Sequence, residues 1–576
     1  MKKLLRYMKG YGRECLLGPL LKLAEATLEL LVPYVILAIV NEGIGRENRS
    51  YVLWATLLLI AMGFAGLLFS VAAQYFSAKA AVGFSSRVKE ALFRHIQFLS
   101  YSDIDRLGRS KLITCLTSDM NQVQTGVNLT LRLLLRSPFI VFGAMIMAFT
   151  VDVKAAMTFV VVIPILSVVV FGIMLMGIPL YKKVQGHLDG ILSKTRENLM
   201  GVRMLRALCK EELETQDFDE KNSHLHKAQV FVGRIASLMN PMTYVIINLA
   251  IAYLMYKGAI RVEYGLLTQG AVLALYNYMS QILVELVKLA NLIINITKSV
   301  ACANRVEAVL EISPSLSEKA EQFSDNADLA AEFDHVSFHY GNGGEDAIHD
   351  VSFSVKPGEI VGIIGGTGAG KTTLVNLLCR FYEANAGNVY IGGKIVGSYS
   401  SRELLDRIGI VPQKAALFRG DIRSNMQFGR ENVSDDEIWE ALALAQAKDF
   451  VEKMEGGLSA EVKQFGRNLS GGQKQRLTVA RALVRKPSIL ILDDSASALD
   501  YATDLALRRA IYSLPYHPTV FIVTQRATTL KGADRILVLD EGCLVGNGTH
   551  DELLASCETY REICESQITQ AQGEKL

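Results

Sequence analysis

The feature that most restricts this chain is a set of six long apolar segments confined to residues 1 to about 305. They lie near 15–41, 51–79, 131–151, 155–181, 235–257 and 266–300. Each is about 20 residues or more, enough to cross a hydrocarbon core at roughly 1.5 Å per residue. Helices in the core of a soluble protein are rarely so long and so apolar six times over. The remaining residues look different: the whole chain of 576 residues is 50% hydrophobic but still 20% charged. That balance fits a membrane bundle joined to a soluble domain better than either alone.

The connections sort by length and charge. Those at 42–50, 152–154 and 258–265 are short, whereas 80–130 and 182–234 are long and basic, with Arg87, Lys89, Arg94, Arg106, Arg109, Lys182, Lys183, Arg203, Arg206 and Lys210. The positive-inside rule places the long loops and both termini in the cytoplasm. Both loops also read as helical, so the membrane helices are expected to continue beyond the bilayer. The basic start, MKKLLRYMKGYGREC, precedes too long an apolar stretch for a cleavable signal and reads as the cationic flank of a first span. A net charge of +2 gives no sign of a nucleic-acid partner. The cysteines (15, 115, 209, 302, 379, 543, 557, 564) show no metal-type C-x-x-C spacing and are expected as reduced thiols.

Some apolar segments carry ionisable groups: Lys22, Glu25 and Glu29 in the first, Arg132 and Arg136 in the third, Glu285 and Lys288 in the sixth. Such groups are too costly to face lipid, so they should face other helices, water or a cavity. Glu25 and Glu29 share a face at i, i+4, as do Asn291 and Asn295. Two readings remain open for them, a polar translocation path and simple interhelical pairing with snorkelling.

Past residue 305 a polar, acidic linker leads into alternating strand-type and helix-type runs, including EIVGIIG, RIGIVP, SILILDD and TVFIVTQ. This is the pattern of an α/β domain with a largely parallel sheet. The strand EIVGIIG runs into Gly365-Gly366-Thr367-Gly368-Ala369-Gly370-Lys371-Thr372-Thr373 and then a helix, a complete G-x-x-x-x-G-K-T phosphate loop. Its glycines let backbone N–H groups converge on phosphates, Lys371 is suited to the β- and γ-phosphates, and Thr372 to Mg²⁺. Downstream, Ile489–Leu492 end in Asp493, a buried strand delivering a metal-side carboxylate beside that loop.

Between these motifs lies Asn468-Leu469-Ser470-Gly471-Gly472-Gln473. This matches the LSGGQ signature, and on it the chain resembles the ATP-binding-cassette (ABC) transporters. In that family the signature's Ser470, Gly471, Gly472 and Gln473 would bind the γ-phosphate of ATP held by an opposite subunit, so the motif implies a dimer. Further matches follow in family order. Tyr340 resembles the aromatic that stacks on adenine, Gln413 the Q-loop residue near Mg²⁺ and water, and Ser497-Ala498-Leu499-Asp500 the D-loop. The tips near Tyr101–Arg109 and Gly201–Lys210 resemble coupling helices. The resemblance covers essentially the whole chain and implies a type IV exporter half. Its expected parts are a six-helix transmembrane domain over 1–305, a linker over 306–330, a P-loop NTPase domain over 331–566 and a polar tail over 567–576.

Two departures from the family pattern bear on chemistry. The position after Asp493, usually Glu, is Asp494, and the switch position, usually His, is Gln525. Shortening the carboxylate by one methylene withdraws it by roughly 1.5 Å, and Gln cannot carry an imidazolium charge. The cross-talk loop has Gln464 where exporters often carry Glu. The resemblance therefore implies a site that binds ATP and Mg²⁺ but hydrolyses poorly, in a heterodimer whose unlike half supplies the missing groups. The LSGGQ here would complete that half's site. The expected setting is a bacterial plasma membrane, with export of an amphipathic small molecule, lipid or peptide. The alternatives are a homodimeric lipid or peptide exporter and a siderophore-type importer on the exporter fold.

Overall fold

A computed structural model describes residues 3–316, 328–341, 344–430, 432–495 and 498–573, the side chains of 568–573 excepted. Part of the expected linker (317–327), the D-loop residue Ser497 and the last tail residues lie outside the described residues. The chain divides into two compact units, Met1–Gln97 with Ser110–Ile312, and Phe98–Arg109 with Ser313–Leu576.

The first unit is helical: α1 (Gly12–Ala38) and α2 (Arg49–Gln97), then, beyond the short α3 (Tyr101–Leu107), α4 (Arg109–Thr114), α5 (Met120–Leu133), α6 (Arg136–Val151), α7 (Val153–Ala207), α8 (Glu211–Ser237), α9 (Met239–Glu263) and α10 (Gln269–Leu310). Among the described residues six helical stretches are long and apolar enough to cross a membrane: Gly12–Ile44, Arg49–Gln97, Arg109–Val151, Val153–Ala207, Glu211–Glu263 and Gln269–Leu310. They run well past the apolar windows seen in the sequence. In α2 the reason is a stripe that continues after the hydrophobic run: Ala80, Phe84, Val88 and Leu92 recur at i+4 and are all buried. The third stretch breaks at Leu134–Leu135 because Pro138 sits in the first turn of α6, where its missing N–H is tolerated but the helix before it cannot run straight through.

The core of this unit packs Ala26, Leu30, Ile140, Ala144, Phe159, Leu166, Ile247, Tyr278 and Ile282. The alanines let helices approach closely where the hydrophobic effect offers no drive between spans. Among Lys22, Glu25, Glu29, Arg132, Arg136, Glu285 and Lys288, all but Arg132 pair with one another. Arg136 on α6 donates to Glu285 Oε1 on α10 at 2.9 Å and to Glu29 Oε2 on α1 at 2.6 Å. Ser137 and Lys288 also donate to Glu285, each at 2.9 Å. Lys22 donates to Glu25 and to Ser70 on α2. Beside this network a cavity of about 310 Å³ is lined by Glu29, Asn277, Ser280, Gln281 and Lys288 among others.

The second unit carries β1 (Ala331–Phe338), β2 (Ile348–Val355), β3 (Ile360–Gly365), α11 (Lys371–Leu378), β4 (Ala386–Ile391), β5 (Lys394–Ile395), α12 (Ser401–Arg407), β6 (Ile408–Val411), β7 (Gly420–Asp421), α13 (Ile422–Gln427), α14 (Asp435–Leu444) and α15 (Lys448–Glu452). It continues with β8 (Glu461–Val462), α16 (Gly471–Leu483), β9 (Ile489–Asp493), α17 (Tyr501–Tyr512), β10 (Thr519–Val523), α18 (Ala527–Leu530), β11 (Arg535–Asp540), β12 (Cys543–Gly548), α19 (His550–Ser556) and α20 (Glu558–Gly573). A six-stranded sheet in the order β12-β11-β3-β10-β9-β6 is parallel except for its β12 edge. Every residue of β9 and β10 is buried, which is why both read as unbroken apolar runs rather than alternating ones. An antiparallel sheet, β2-β1-β4-β5, flanks it. Gln567, expected in a polar tail, lies instead within α20.

Candidate functional site

The parallel strands bring their C-terminal ends to one edge, where ligands of open α/β sheets bind. Gly365 ends β3 and Gly370 precedes α11. Neither position accepts a side chain. A Cβ on Gly365 would meet the Leu539 carbonyl oxygen at 2.1 Å, and one on Gly370, at φ +94°, would meet the Ala347 oxygen at 2.6 Å. Between them Gly366–Ala369 arch over the helix N-terminus, whose unpaired N–H groups favour phosphate. The Lys371 ammonium donates to the carbonyls of Gly365 at 2.9 Å and Gly366 at 2.5 Å. Burial lowers its pKa, against the pull of the Asp494 and Asp493 carboxylates.

Asp493 ends β9 directly beside Val523 of β10. Its carboxyl is buried, which raises its pKa, while the Thr372 hydroxyl, donating at 3.5 Å, and Lys371 act the other way. Asp494 turns out of the strand with φ 45°, and its N–H donates to the Val523 carbonyl at 2.9 Å. Its Oδ2 accepts from Gln413 Nε2 at 3.3 Å, joining the end of β6 to the end of β9. Gln525 follows β10 after Thr524, whose N–H donates to Ile363 on β3. Tyr340, two residues past the end of β1, is 44% exposed and its hydroxyl lies 3.1 Å from that of Thr373.

A cavity of about 370 Å³ gathers these groups: Tyr340, Thr367–Thr373, Gln413, Asp493, Asp494 and Gln525. Ala347, Val523 and Thr524 also line it, and nothing in their residue types signals this beyond their nearness to strand ends. The oxygen donors of Thr372, Asp493 and Gln413 suit a hard cation such as Mg²⁺. Gly365 and Gly366 shape the loop from its base.

The signature residues are elsewhere. Ser470 caps α16 by accepting from Gln473 N–H at 3.3 Å, and Gln473 Oε1 accepts in turn from Ser470 N–H at 2.8 Å. Gly471 and Gly472 form the helix's first turn, and none of the four lines the cavity. Asp500 caps α17, its pKa lowered by hydrogen bonds from the Thr503 N–H and hydroxyl. It too stands apart from the cavity. Gln464 lies in a turn whose ends are tied by Asn468, which accepts from Lys463 N–H and donates to the Glu461 carbonyl.

Of the two expected coupling tips, α3 belongs to the same compact unit as the cavity. Tyr101 packs on Phe381 with ring centres 4.8 Å apart, and the Tyr382 hydroxyl donates to Asp105 at 2.5 Å. Asp103, buried, accepts from Ser100 and from both the N–H and hydroxyl of Ser315. Gly201–Lys210 stays with the helical unit, where the turn Leu208–Lys210 joins α7 to α8 with Met204 and Leu208 exposed.

Residues 15–286 match the family model described as the ABC transporter transmembrane region, and residues 348–497 match the model described as ABC transporter. The chain is 37% identical over 572 residues to a Bacillus subtilis protein named as an uncharacterized ABC transporter ATP-binding protein, YfiB, covering 99% of each chain. It is 27% identical to the ATP-dependent lipid A-core flippase of Salmonella typhimurium, covering 94% of this chain and 92% of that one. A solved bacterial Atm1-family ABC exporter with ATP bound superposes with a TM-score of 0.82 at 24% identity, over 96% of this chain and 99% of that one. Fold, cavity and relatives agree: the chain belongs to the ABC transporter family, has the ABC exporter fold, and joins a multi-pass transmembrane helical domain to an ABC ATPase domain.

Proposed function

We propose that this chain is the degenerate-site half of a heterodimeric exporter in a bacterial plasma membrane, with its ATPase domain in the cytoplasm. Its own site binds MgATP and turns it over slowly, while Ser470–Gln473 complete the hydrolytic site of an unlike half. The observation that carries this is the pairing of Asp494 and Gln525 in one cavity with an otherwise full phosphate loop. In the family, Glu and His act on the hydrolytic step from those two positions.

Lys371 and the backbone N–H groups of 366–371 hold the β- and γ-phosphates, and Tyr340 stacks on the base. Thr372, Asp493 and Gln413 hold Mg²⁺, whose chemistry is to neutralise charge on the phosphates. Asp494, held back on a short stem, and Gln525, which hydrogen-bonds but carries no charge, stabilise bound ATP without activating water well. ATP-driven closure of two cassettes is relayed through the docked α3 and through the Gly201–Lys210 turn, opening the membrane cavity outward. The cargo is an amphipathic small molecule, lipid or peptide, consistent with a lining that sets charged and amide groups (Glu29, Gln281, Lys288) beside apolar ones (Val32, Ile36).

Equilibrium binding and steady-state hydrolysis on the purified full-length chain test this together. Tight MgATP binding that Lys371→Ala removes, with little turnover, is the expected result; robust turnover by the chain alone would contradict it. A second reading, a homodimeric lipid exporter, is favoured by the likeness to the lipid A-core flippases. It requires the chain alone to sustain hydrolysis, so the same assay separates the two.

A further inference from the structure

We infer that Gln567, on the C-terminal helix, is a positioning residue for the nucleotide site: its amide clamps the backbone that carries Gln525 and so fixes how this site tells ATP from ADP. The inference rests on the nucleotide-site reading above. Cys557, Tyr560, Cys564 and Gln567 recur at spacings of three and four, which puts them on one stripe of α20 and the residue preceding it. The first three are buried in the ATPase core, with Tyr560 fully so and its hydroxyl 2.8 Å from His550 Nδ1. Gln567 is the next residue on that anchored stripe and is partly buried.

From there Gln567 Nε2 donates to the Gln525 carbonyl at 2.6 Å, and its Oε1 accepts from the Ala527 N–H at 3.0 Å. A carbonyl at one residue and an N–H two residues on form a single backbone edge. The side-chain amide reads that edge as a neighbouring strand would, pinning both sides of Arg526. On the other side Thr524 N–H is bonded to Ile363 of β3 at 3.1 Å, and its hydroxyl accepts from Arg526 N–H at 3.1 Å. The segment 524–527 is therefore held between the strand that feeds the phosphate loop and the C-terminal helix. What remains adjustable is the Gln525 side chain, which faces the cavity. The β- and γ-phosphates are held by Lys371 and the loop 366–371, which Gln567 does not touch; what depends on where the clamp sets Gln525 is the additional contact that Gln525 makes with the γ-phosphate.

The test is equilibrium binding of MgATP and MgADP to the full-length chain, comparing wild type with Gln567→Ala and Gln567→Glu. Gln567→Ala is expected to cut the ATP-over-ADP preference by about fivefold, the worth of roughly one hydrogen bond, with ADP affinity kept within about twofold. Gln567→Glu retains the acceptor for Ala527 N–H but sets a carboxylate oxygen against the Gln525 carbonyl in place of the donor, so it should lower the preference at least as far as Gln567→Ala. In a Gln525→Ala background, Gln567→Ala should change the preference no further, because the two act through one contact. Equal losses for ATP and ADP, no change in the ratio, or an undiminished effect in the Gln525→Ala background would each overturn the clamp. A wild-type chain that binds neither nucleotide would instead overturn the nucleotide-site reading beneath it.

Discussion

Replacing Asp494 with Glu is the perturbation whose size the site itself sets. Asp494 is fixed by its N–H to the Val523 carbonyl and by φ 45°, so its backbone does not slide to compensate for a shorter side chain. Its carboxylate is already engaged by Gln413 at 3.3 Å, on the side away from β10. One added methylene carries the carboxylate about 1.5 Å further into the cavity. A displacement on the order of 1 Å in a reacting group is worth about a hundredfold in rate, or roughly 2.7 kcal/mol of barrier. Asp494→Glu is therefore expected to raise steady-state ATP hydrolysis by about two orders of magnitude. Adding Gln525→His should raise it further by restoring a residue able to carry charge at the switch. The assay is phosphate release by the full-length chain in lipid nanodiscs, with MgATP affinity measured in parallel. Unchanged turnover in the double variant, with ATP binding intact, would refute the idea that these two positions limit this site.

Three other outcomes follow from the geometry. Asp103 is buried, which alone would raise its pKa, but donors from Ser100 and Ser315 prevail and lower it. A depressed folded-state pKa means its stabilising contribution is complete above the ordinary carboxylate value of about 3.9 and disappears as pH falls through the lower folded value. Proteolytic release of α3 from the ATPase unit should thus appear only in that acid range in wild type, but already at neutral pH in Asp103→Ala. Arg136→Leu leaves the Glu285 and Glu29 carboxylates without their shared guanidinium and is expected to cost about 3–5 kcal/mol, seen as a lower thermal midpoint in detergent. Lysine at 136 should recover only part of the loss because it lacks the planar fork. Ser470→Arg is expected to abolish hydrolysis by the assembled exporter while MgATP binding at the Lys371 site of the isolated chain changes by less than about twofold, since Ser470 lies outside that cavity.

Much of this was legible from local pattern. The phosphate loop, the buried strand ending in Asp493 and the six apolar stretches each signal themselves through chemistry that neighbours in sequence must share. The placement of Gln413 against Asp494 was legible only through the family's motif order, since nothing in the residues around either one points at the other. The partners of the membrane charges were legible only where they lie three apart on one helix, as Lys22 with Glu25 and Lys288 with Glu285 do. Arg136 meets Glu29 and Glu285 from two different helices, a matter of packing rather than of spacing along one helix. Helix ends misled where hydropathy was the guide: α2 runs on to Gln97 because its buried stripe outlasts its apolar run. Gln567 looked like tail because polar residues surround it, and only the anchored stripe from Tyr560 to Cys564 reveals that it faces inward.

The central claim is asymmetry between two nucleotide sites. It is tested most directly by purifying the exporter from its own membrane with whatever second half accompanies this chain, and trapping nucleotide with vanadate during turnover. The expected result is an unlike second chain, with ADP trapped on that chain's phosphate loop and intact ATP retained at Lys371. A complex of two identical chains, or ADP trapped equally at Lys371, would contradict it.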